Sequence, residues 1–277
     1  MSALDSLVLR DLTALSDLRL VEQLQKEVWG VADLEVFPAL ALTPVVEVGG
    51  VLIGAFDEQR MVGFVFGFPG HEEGKLILHS DMLAVRPEYR RFGLGYQLKL
   101  AQRERALAKG IQTITWTFDP LQARNARLNF GKLGVISNSY RPDYYGETTS
   151  FLHQTGTDRL WVTWHLNSER VRTRIAGSSE TIKSNDNPII LSVGVNEEPV
   201  AHDVALNDGP AFIEIPIDIN DIISRDVGLA RRWRLAAREA FLKLMRAEFM
   251  VTEFSVTEGE FGKVGRYELI RPLLFSA

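Results

Sequence analysis

Val85-Arg86-Pro87-Glu88-Tyr89-Arg90-Arg91-Phe92-Gly93-Leu94-Gly95-Tyr96 is the stretch on which the reading of the fold turns. Val85 closes a strand-like run that begins at Leu76, and Leu94 to Lys109 has the apolar spacing of a helix, so the segment joins a strand to a helix. Glycines directly before a helix let backbone N–H groups approach a ligand, and the helix amino terminus adds partial positive charge. Arg90 and Arg91 add full charges. The target of such a cradle is a phosphate or pyrophosphate. A dinucleotide fingerprint places its first Gly at the strand end and its third inside the helix, whereas here Arg86 to Arg90 intervene and Leu98 takes the third position. The Gly-Lys-Ser/Thr ending of a Walker loop is also absent.

Upstream of this segment, Leu7 to Leu9 reads as a strand and Ser16 to Val28 as a helix, with Leu18, Val21, Leu24 and Val28 on one face. A Pro-interrupted apolar segment (Pro38, Pro44) precedes three strand-like runs, Val51 to Phe56, Met61 to Phe68 and Leu76 to Val85, which suggest an antiparallel meander. Downstream come a strand from Thr113 to Phe118, a helix from Gln122 to Leu133 ended by Gly134, and strands from Val135 to Tyr140 and Leu160 to His165. The polar stretch from Asn167 to Asn187, with Gly177-Ser178-Ser179 and Ser184-Asn185-Asp186-Asn187, marks a boundary. Beyond it, Ile213, Ile215, Ile217 and Ile219 alternate as in a strand. Leu229, Trp233, Ala236, Ala240, Leu244 and Ala247 then mark a long helix, and Val251 to Val256 another strand. This order echoes Leu76 to Phe118, down to Leu100-Ala101-Gln102-Arg103-Glu104 against Leu235-Ala236-Ala237-Arg238-Glu239, but the second copy lacks the glycines. The fold class is α/β in the mixed α+β sense.

The chain has 277 residues, 31 Lys plus Arg against 36 Asp plus Glu, and a net charge of −5. That balance supplies no whole-protein field for nucleic acid or an anionic membrane. Absence of Cys excludes thiolate catalysis and Cys-based metal sites, and His71, His79, His153, His165 and His202 show no metal-ligand spacing, so no metal is expected. The uncharged runs Val36 to Val46 and Met61 to His71 fall short of the roughly 20 residues of a membrane helix, and a cytoplasmic location is expected. In Arg231-Arg232-Trp233-Arg234, helical spacing puts Trp233 on the apolar stripe and the arginines on the solvated face. No Gly-x-Ser-x-Gly elbow of a serine hydrolase is present.

The run Arg90-Arg91-Phe92-Gly93-Leu94-Gly95 between strand and helix resembles the acyl-CoA pyrophosphate motif of the GNAT superfamily of N-acyltransferases, Arg/Gln-x-x-Gly-x-Gly/Ala. Trp116-Thr117-Phe118-Asp119-Pro120-Leu121, followed by Asn125-Ala126, Asn129-Phe130 and Lys132-Leu133-Gly134, resembles the strand and helix that flank the pantetheine arm there. With Tyr144-Tyr145-Gly146 after it, the text looks like a long branch of that superfamily with a carboxy-terminal extension. The resemblance implies a GNAT domain over 1–166 and an α+β extension over 167–277, with a mostly antiparallel sheet flanked by helices. It also implies acyl transfer from CoA to a primary amine by direct attack. Acetyl-CoA is the first expectation as co-substrate and succinyl-CoA the alternative; the partner is a small-molecule amine, and a homodimer is open.

By the same resemblance, the backbone of Leu83, Ala84 and Val85 pairs with pantetheine, Arg90 to Tyr96 hold the pyrophosphate, and Asn125 and Asn129, sharing a helix face, reach the cofactor arm. The two-residue strand period puts His79, Asp81, Leu83 and Val85 on one face. His79 and Asp81 are then either acceptors of the amine proton or a hydrogen-bonded pair on a strand edge. Phe130 stands where many relatives carry an acidic Tyr, which leaves Tyr140, Tyr144 or Tyr145 to supply the hydroxyl. Trp29, Trp116 and Tyr145 are expected to shape the acceptor pocket, and Arg124, Arg127 or Arg141 to hold an acceptor carboxylate. Rival readings are a non-catalytic acyl-CoA-binding module and a nucleotide-binding oxidoreductase with Asp119 on a ribose.

Overall fold

The computed structural model describes residues 7–146, 155–177 and 187–272. His153 and residues 178–186 of the polar stretch lie outside the described residues. The chain divides into two compact units, one running to Trp116 and the other starting at Thr117.

In the first unit the order is β1 (Leu7–Asp11), α1 (Leu15–Trp29), a 3-10 turn (Asp33–Glu35), α2 (Ala39–Glu47), β2 (Val51–Asp57), β3 (Arg60–Glu72), β4 (Lys75–Val85), a 3-10 turn (Pro87–Phe92), α3 (Leu94–Ala108) and the start of β5 (Thr113–Phe118). The strands lie in the order β1-β2-β3-β4-β5, antiparallel except for parallel β4 and β5. The meander expected from the sequence is present, and the β3–β4 turn places Glu73 and Gly74 at positive φ (50° and 76°), as a two-residue hairpin turn demands. The Pro-interrupted segment is a helix, α2. Its entry is tied to α1 by buried Gln25, which bonds both backbone groups of Phe37, and by Glu22 Oε1 accepting from Ala39 N at 2.6 Å.

β3 decides how the layers stack. Phe64 and Phe66 pack with Leu18, Val21 and Leu24 of α1 and Leu42 of α2 in one buried cluster. Its other face carries Gly63, Val65 and Gly67, where α3 docks: a Cβ on Gly63 would lie 3.3 Å from Leu98. A Cβ on Gly67 would come within 2.8 Å of the His79 carbonyl and 2.9 Å of Gln102 Nε2. Small residues here are the condition for the helix to lie on the sheet.

The second unit runs from the end of β5 through α4 (Ala123–Ala126), a π-helical stretch (Arg127–Leu133), β6 (Ile136–Arg141), β7 (Arg159–His165), α5 (Glu169–Ile175), β8 (Ile189–Val193), β9 (Pro199–Ala201), β10 (Ala211–Pro216), α6 (Ile219–Arg225), α7 (Val227–Arg246), β11 (Met250–Gly259) and β12 (Gly262–Ile270). Its strands lie in the order β7-β6-β11-β12-β10-β8-β9, with β8 and β10 parallel. Tyr267 is the hub of the core, with ring centroids 5.8 Å from Phe130, 5.2 Å from Phe241 and 4.7 Å from Phe254. Its hydroxyl donates to the Pro120 carbonyl at 2.6 Å.

Three expectations are corrected. The alternation of isoleucines stops at Pro216: Ile217 is 40% exposed and Ile219 opens α6. The echo of Leu76 to Phe118 does not extend to pairing, because β4 and β5 bond directly whereas β12 lies between β10 and β11. Arg234 is not on the solvated face. It is 3% exposed and holds Asp119 through two bonds of 2.7 Å, while Arg238, one turn on, holds Asp158 and Asp143. No single helix among the described residues is long and apolar enough to cross a membrane.

Gly67→Ala is expected to lower the free energy of unfolding by about 1–3 kcal/mol, because the backbone oxygen of His79 cannot yield to a methyl group. Chemical denaturation of the two proteins checks this, and an unchanged midpoint contradicts the close seating of α3.

Candidate active site

The pairing of β3 with β4 joins Phe66 to Met82 and Gly67 to Ser80, so Asp81 is one residue too many on β4 and forms a bulge. Bulges re-aim side chains and shift the parity of a strand. The expected shared face of His79, Asp81, Leu83 and Val85 is therefore broken. His79 lies opposite Phe68, its ring 5.5 Å away, with Nδ1 3.1 Å from Thr115 Oγ1. Beyond the bulge it is Met82 and Ala84 that join the Phe64–Phe66 cluster, while Leu83 and Val85 turn toward α3, where a Cβ on Gly95 would lie 3.7 and 4.0 Å from them.

Asp81 accepts no hydrogen bond from a described residue, and its side chain is open to solvent. Even so, desolvation by its crowded surroundings raises its pKa above the usual carboxylate value. Access to water together with crowding describes a group in a recess. Among the described residues β4 pairs with β5 at Leu78–Ile114 and His79–Thr115, so from Ser80 to Val85 it has β3 on one edge and no described strand of its unit on the other. Leu83, Ala84 and Val85 lie on this stretch, and its backbone can pair with an extended ligand as a strand would.

The open edge leads into the glycine loop. Arg86 anchors it by donating to the Met61 carbonyl at 2.9 Å and pairing with Glu27, and Tyr89 donates to Asp57 at 2.6 Å. Gly93 is left-handed (φ 78°) and starts α3 with no side-chain cap and no acidic residue in the first turn. Tyr96 N and Gln97 N bond to Gly93 O, while Leu94 N and Gly95 N stand in the first turn of α3, whose leading donors have no carbonyl of their own helix to bond. Those donors and the helix dipole suit an anion. Arg90 is exposed and donates from Nε to the Val85 carbonyl at 3.0 Å; exposed Arg91 rests 4.7 Å from the Phe92 ring and forms no ion pair with a described residue.

Beneath this surface is a residue the sequence reading missed. Lys99 is buried, donates to Ser80 Oγ at 2.7 Å, stands 3.4 Å from Gln102 Oε1 and lies 3.7 Å from the Trp116 ring centroid. Desolvation pushes its pKa well below the ordinary lysine value. Its one signal in the sequence was a cation within the apolar stripe of α3. Trp116, expected to shape the acceptor pocket, is buried against Lys99, and half-buried Trp29 packs edge-on to Phe64 at 6.1 Å.

In the second unit, Tyr140 is 7% exposed, stacked on Phe241, and donates to Asp158 at 2.7 Å. Burial, with Asp158 beside it, drives its pKa far above the ordinary tyrosine value, which makes it a structural tie and not an available acid. Tyr144 and Tyr145 are exposed and 4.8 Å apart. The helix expected over Gln122 to Leu133 becomes π-helical at Arg127, and the two asparagines differ in setting: Asn125 is exposed and Asn129 buried. Phe130 is fully buried between Phe118 and Tyr267. Asp119, the ribose ligand of the oxidoreductase reading, is taken by Arg234, and Arg124 and Arg127 are exposed. Among the described residues no three His, Asp or Glu side chains cluster as metal ligands.

Residues 18–134 match the family model of the acetyltransferase (GNAT) family. No curated protein matches the chain. Among solved structures, the ribosomal-protein-S18-alanine N-acetyltransferase from Escherichia coli is 17% identical, with a TM-score of 0.46, covering 58% of this chain and 95% of that one. Aminoglycoside 6'-acetyltransferase type Ii is 16% identical, with a TM-score of 0.46 and coverage of 58% and 99%. The NatC complex bound to Gag peptide and CoA gives 14% identity, a TM-score of 0.47 and coverage of 58% and 98%.

A lysine whose pKa is lower folded than unfolded makes the unfolded chain the better proton binder, so its contribution to stability falls as pH falls. Lys99→Met is expected to be more stable than the parent at pH 6, by about 1 kcal/mol or more, and to lose part of the rise in stability from pH 6 to 9. Urea midpoints at the two pH values check this; a variant destabilised equally at both contradicts a buried amine held against its charge.

Proposed function

We propose, from the match of residues 18–134 to the family model of the acetyltransferase (GNAT) family, that the chain transfers an acetyl group from acetyl-CoA to a primary amine by direct attack. The observation that carries this reading is the continuity of three features in one unit: the bulge with its unpartnered Asp81, the open edge of β4 from Ser80 to Val85, and the uncapped start of α3 beside Arg90 and Arg91. In this reading the N–H groups of Leu94 and Gly95, with Arg90 and Arg91, bind the pyrophosphate, and the edge at Leu83, Ala84 and Val85 holds the pantetheine arm. Phe92 and Tyr96 flank the cradle. Residues 1–166 form the acyltransfer module. Residues 167–277 are its extension, whose α7 braces the module through Arg234 on Asp119 and Arg238 on Asp158.

Asp81 is the proposed proton acceptor. As a carboxylate it attracts the substrate ammonium and takes its proton, directly or through one water, and its raised pKa makes it a better base than an ordinary aspartate. The free amine then attacks the thioester carbon; the C–N bond forms, the nitrogen gives its extra proton to water, the C–S bond breaks, and the leaving thiolate takes a proton. A backbone N–H on the open edge of β4 stabilises the oxyanion. His79, bonded to Thr115 and packed on Phe68, shapes the floor of the recess. Solvent water supplies the proton for the thiolate, because Phe130 has no hydroxyl and Tyr140 is committed to Asp158. Phe130 also favours a second reading, a module that binds acyl-CoA without turning it over. Succinyl-CoA is the alternative donor.

Asp81→Asn separates the two readings. The transferase reading predicts that kcat for CoA release, measured with acetyl-CoA and a panel of primary amines, falls about 100-fold while acetyl-CoA affinity holds. In the parent, activity rises with pH as Asp81 ionises, with a midpoint above the ordinary carboxylate range; the variant lacks that limb. Unchanged turnover in Asp81→Asn overturns its role, and binding of acetyl-CoA with no turnover in the parent selects the second reading.

A further inference from the structure

Arg141 on β6 and Arg159 on β7 are direct partners in an antiparallel register. Partners of this kind have Cβ atoms about 5 Å apart, and like charges so placed repel. Both side chains are half-buried, and neither forms an ion pair with a described residue. Two described carboxylates of this loop region are committed elsewhere: Asp158 to Arg238 and Tyr140, and Asp143 to Arg238. Aromatic rings hold the two guanidinium groups in place. Arg141 lies 4.0 Å from the Trp161 ring centroid and 5.7 Å from that of Tyr144, and Arg159 lies 5.2 Å from that of Tyr145. Stacking uses the face of a guanidinium and leaves its N–H edge for a ligand.

The loop that carries the two tyrosines is fixed by its own backbone. Tyr144 N donates to Thr157 O at 3.2 Å, Tyr145 N to Thr157 Oγ1 at 3.2 Å, and Gly146 N to Asp143 O at 2.8 Å. Asp143 N donates to Asp158 Oδ1 at 3.0 Å, the carboxylate that Arg238 clamps from α7. A repulsive pair kept in a rigid, ring-lined setting lacks one component, a negative charge between the forks. We propose that Arg141 and Arg159 form a binding site for a compact oxyanion, a carboxylate or a phosphate group. The pair lies within the second unit, and its reading as an oxyanion site stands without acyl transfer. The two ligand sources to be told apart, the phosphates of CoA and the carboxylate of an amine acceptor, rest on the proposed function.

The test is thermal-shift titration of the full chain and of Arg141→Gln and Arg159→Gln with inorganic phosphate, CoA, L-phenylalanine and L-phenylalaninamide, which lacks the carboxylate. Phosphate is expected to raise the Tm of the parent, with affinity about tenfold weaker in each variant. Without ligand, Arg159→Gln is expected to melt at or above the parent, since the repulsion is gone; a purely structural arginine would lower it. CoA affinity lost in the variants assigns the site to the co-substrate's phosphates. A response to L-phenylalanine but not to its amide assigns it to the acceptor. Arg159→Lys, which keeps the charge and loses the fork, is expected to fall between parent and Gln variant. The proposal is overturned if no oxyanion shifts the parent, or if both Gln variants respond as it does.

Discussion

One residue more on β4 than on β3 sets the character of the first unit. With Asp81 extruded from the ladder, the strand changes parity: Ser80, Leu83 and Val85 serve α3, while His79, Met82 and Ala84 serve the layer of phenylalanines beneath α1 and α2. The same extrusion leaves a carboxylate with no partner at the point where β4 has just lost its pairing with β5. A regular strand there would bury or pair that residue. The bulge in turn relies on a tight seat for α3, which Gly63 and Gly67 allow and which Lys99 fixes through Ser80, the residue next to the extra one.

The second unit is organised by α7. Its apolar face packs Trp233, Ala237, Phe241 and Leu244 into the core, and Arg234 and Arg238 share that face to seize Asp119, Asp158 and Asp143. A buried arginine is tolerable only when its charge is met, and the two-pronged contact with Asp119 meets it. The carboxy-terminal segment thereby fixes the turn after β5 and the loop after β6, which positions the exposed tyrosines and the Arg141–Arg159 pair.

Much of this was legible in the sequence, and the parts that were not share a physical cause. Apolar strand-like runs announced β2, β3 and β4, an alternating one announced β5, and Gly93 before a helical run announced the turn into α3. Signals that are local and periodic survive folding. α2 was hidden by Pro44 inside it and α5 by its setting in a polar stretch, and β12, with Gly262 and Gly265 interrupting its apolar run, went unread. The bulge has no side-chain signature, because register is a property of two strands together. Arg234 looked like a surface residue, since its partner Asp119 lies 115 positions away. Lys99 was passed over, and Trp116 and Tyr140 were given freer roles than their surroundings allow, for the same reason: the sequence shows what a side chain can do, while its neighbours decide whether it is free to do it.

Isothermal titration with acetyl-CoA, run on the parent, on Gly93→Asp and on Gly74→Asp, tests the central claim most directly. Gly93 and Gly74 share a left-handed backbone (φ 78° and 76°) with open space around the Cβ position, so the two variants carry the same strain, and Gly74 lies in the β3–β4 turn. If the start of α3 is the anion cradle, the parent and Gly74→Asp bind alike, while a carboxylate at Gly93 weakens binding by about 100-fold. No binding by the parent, or equal binding by all three, would contradict the account.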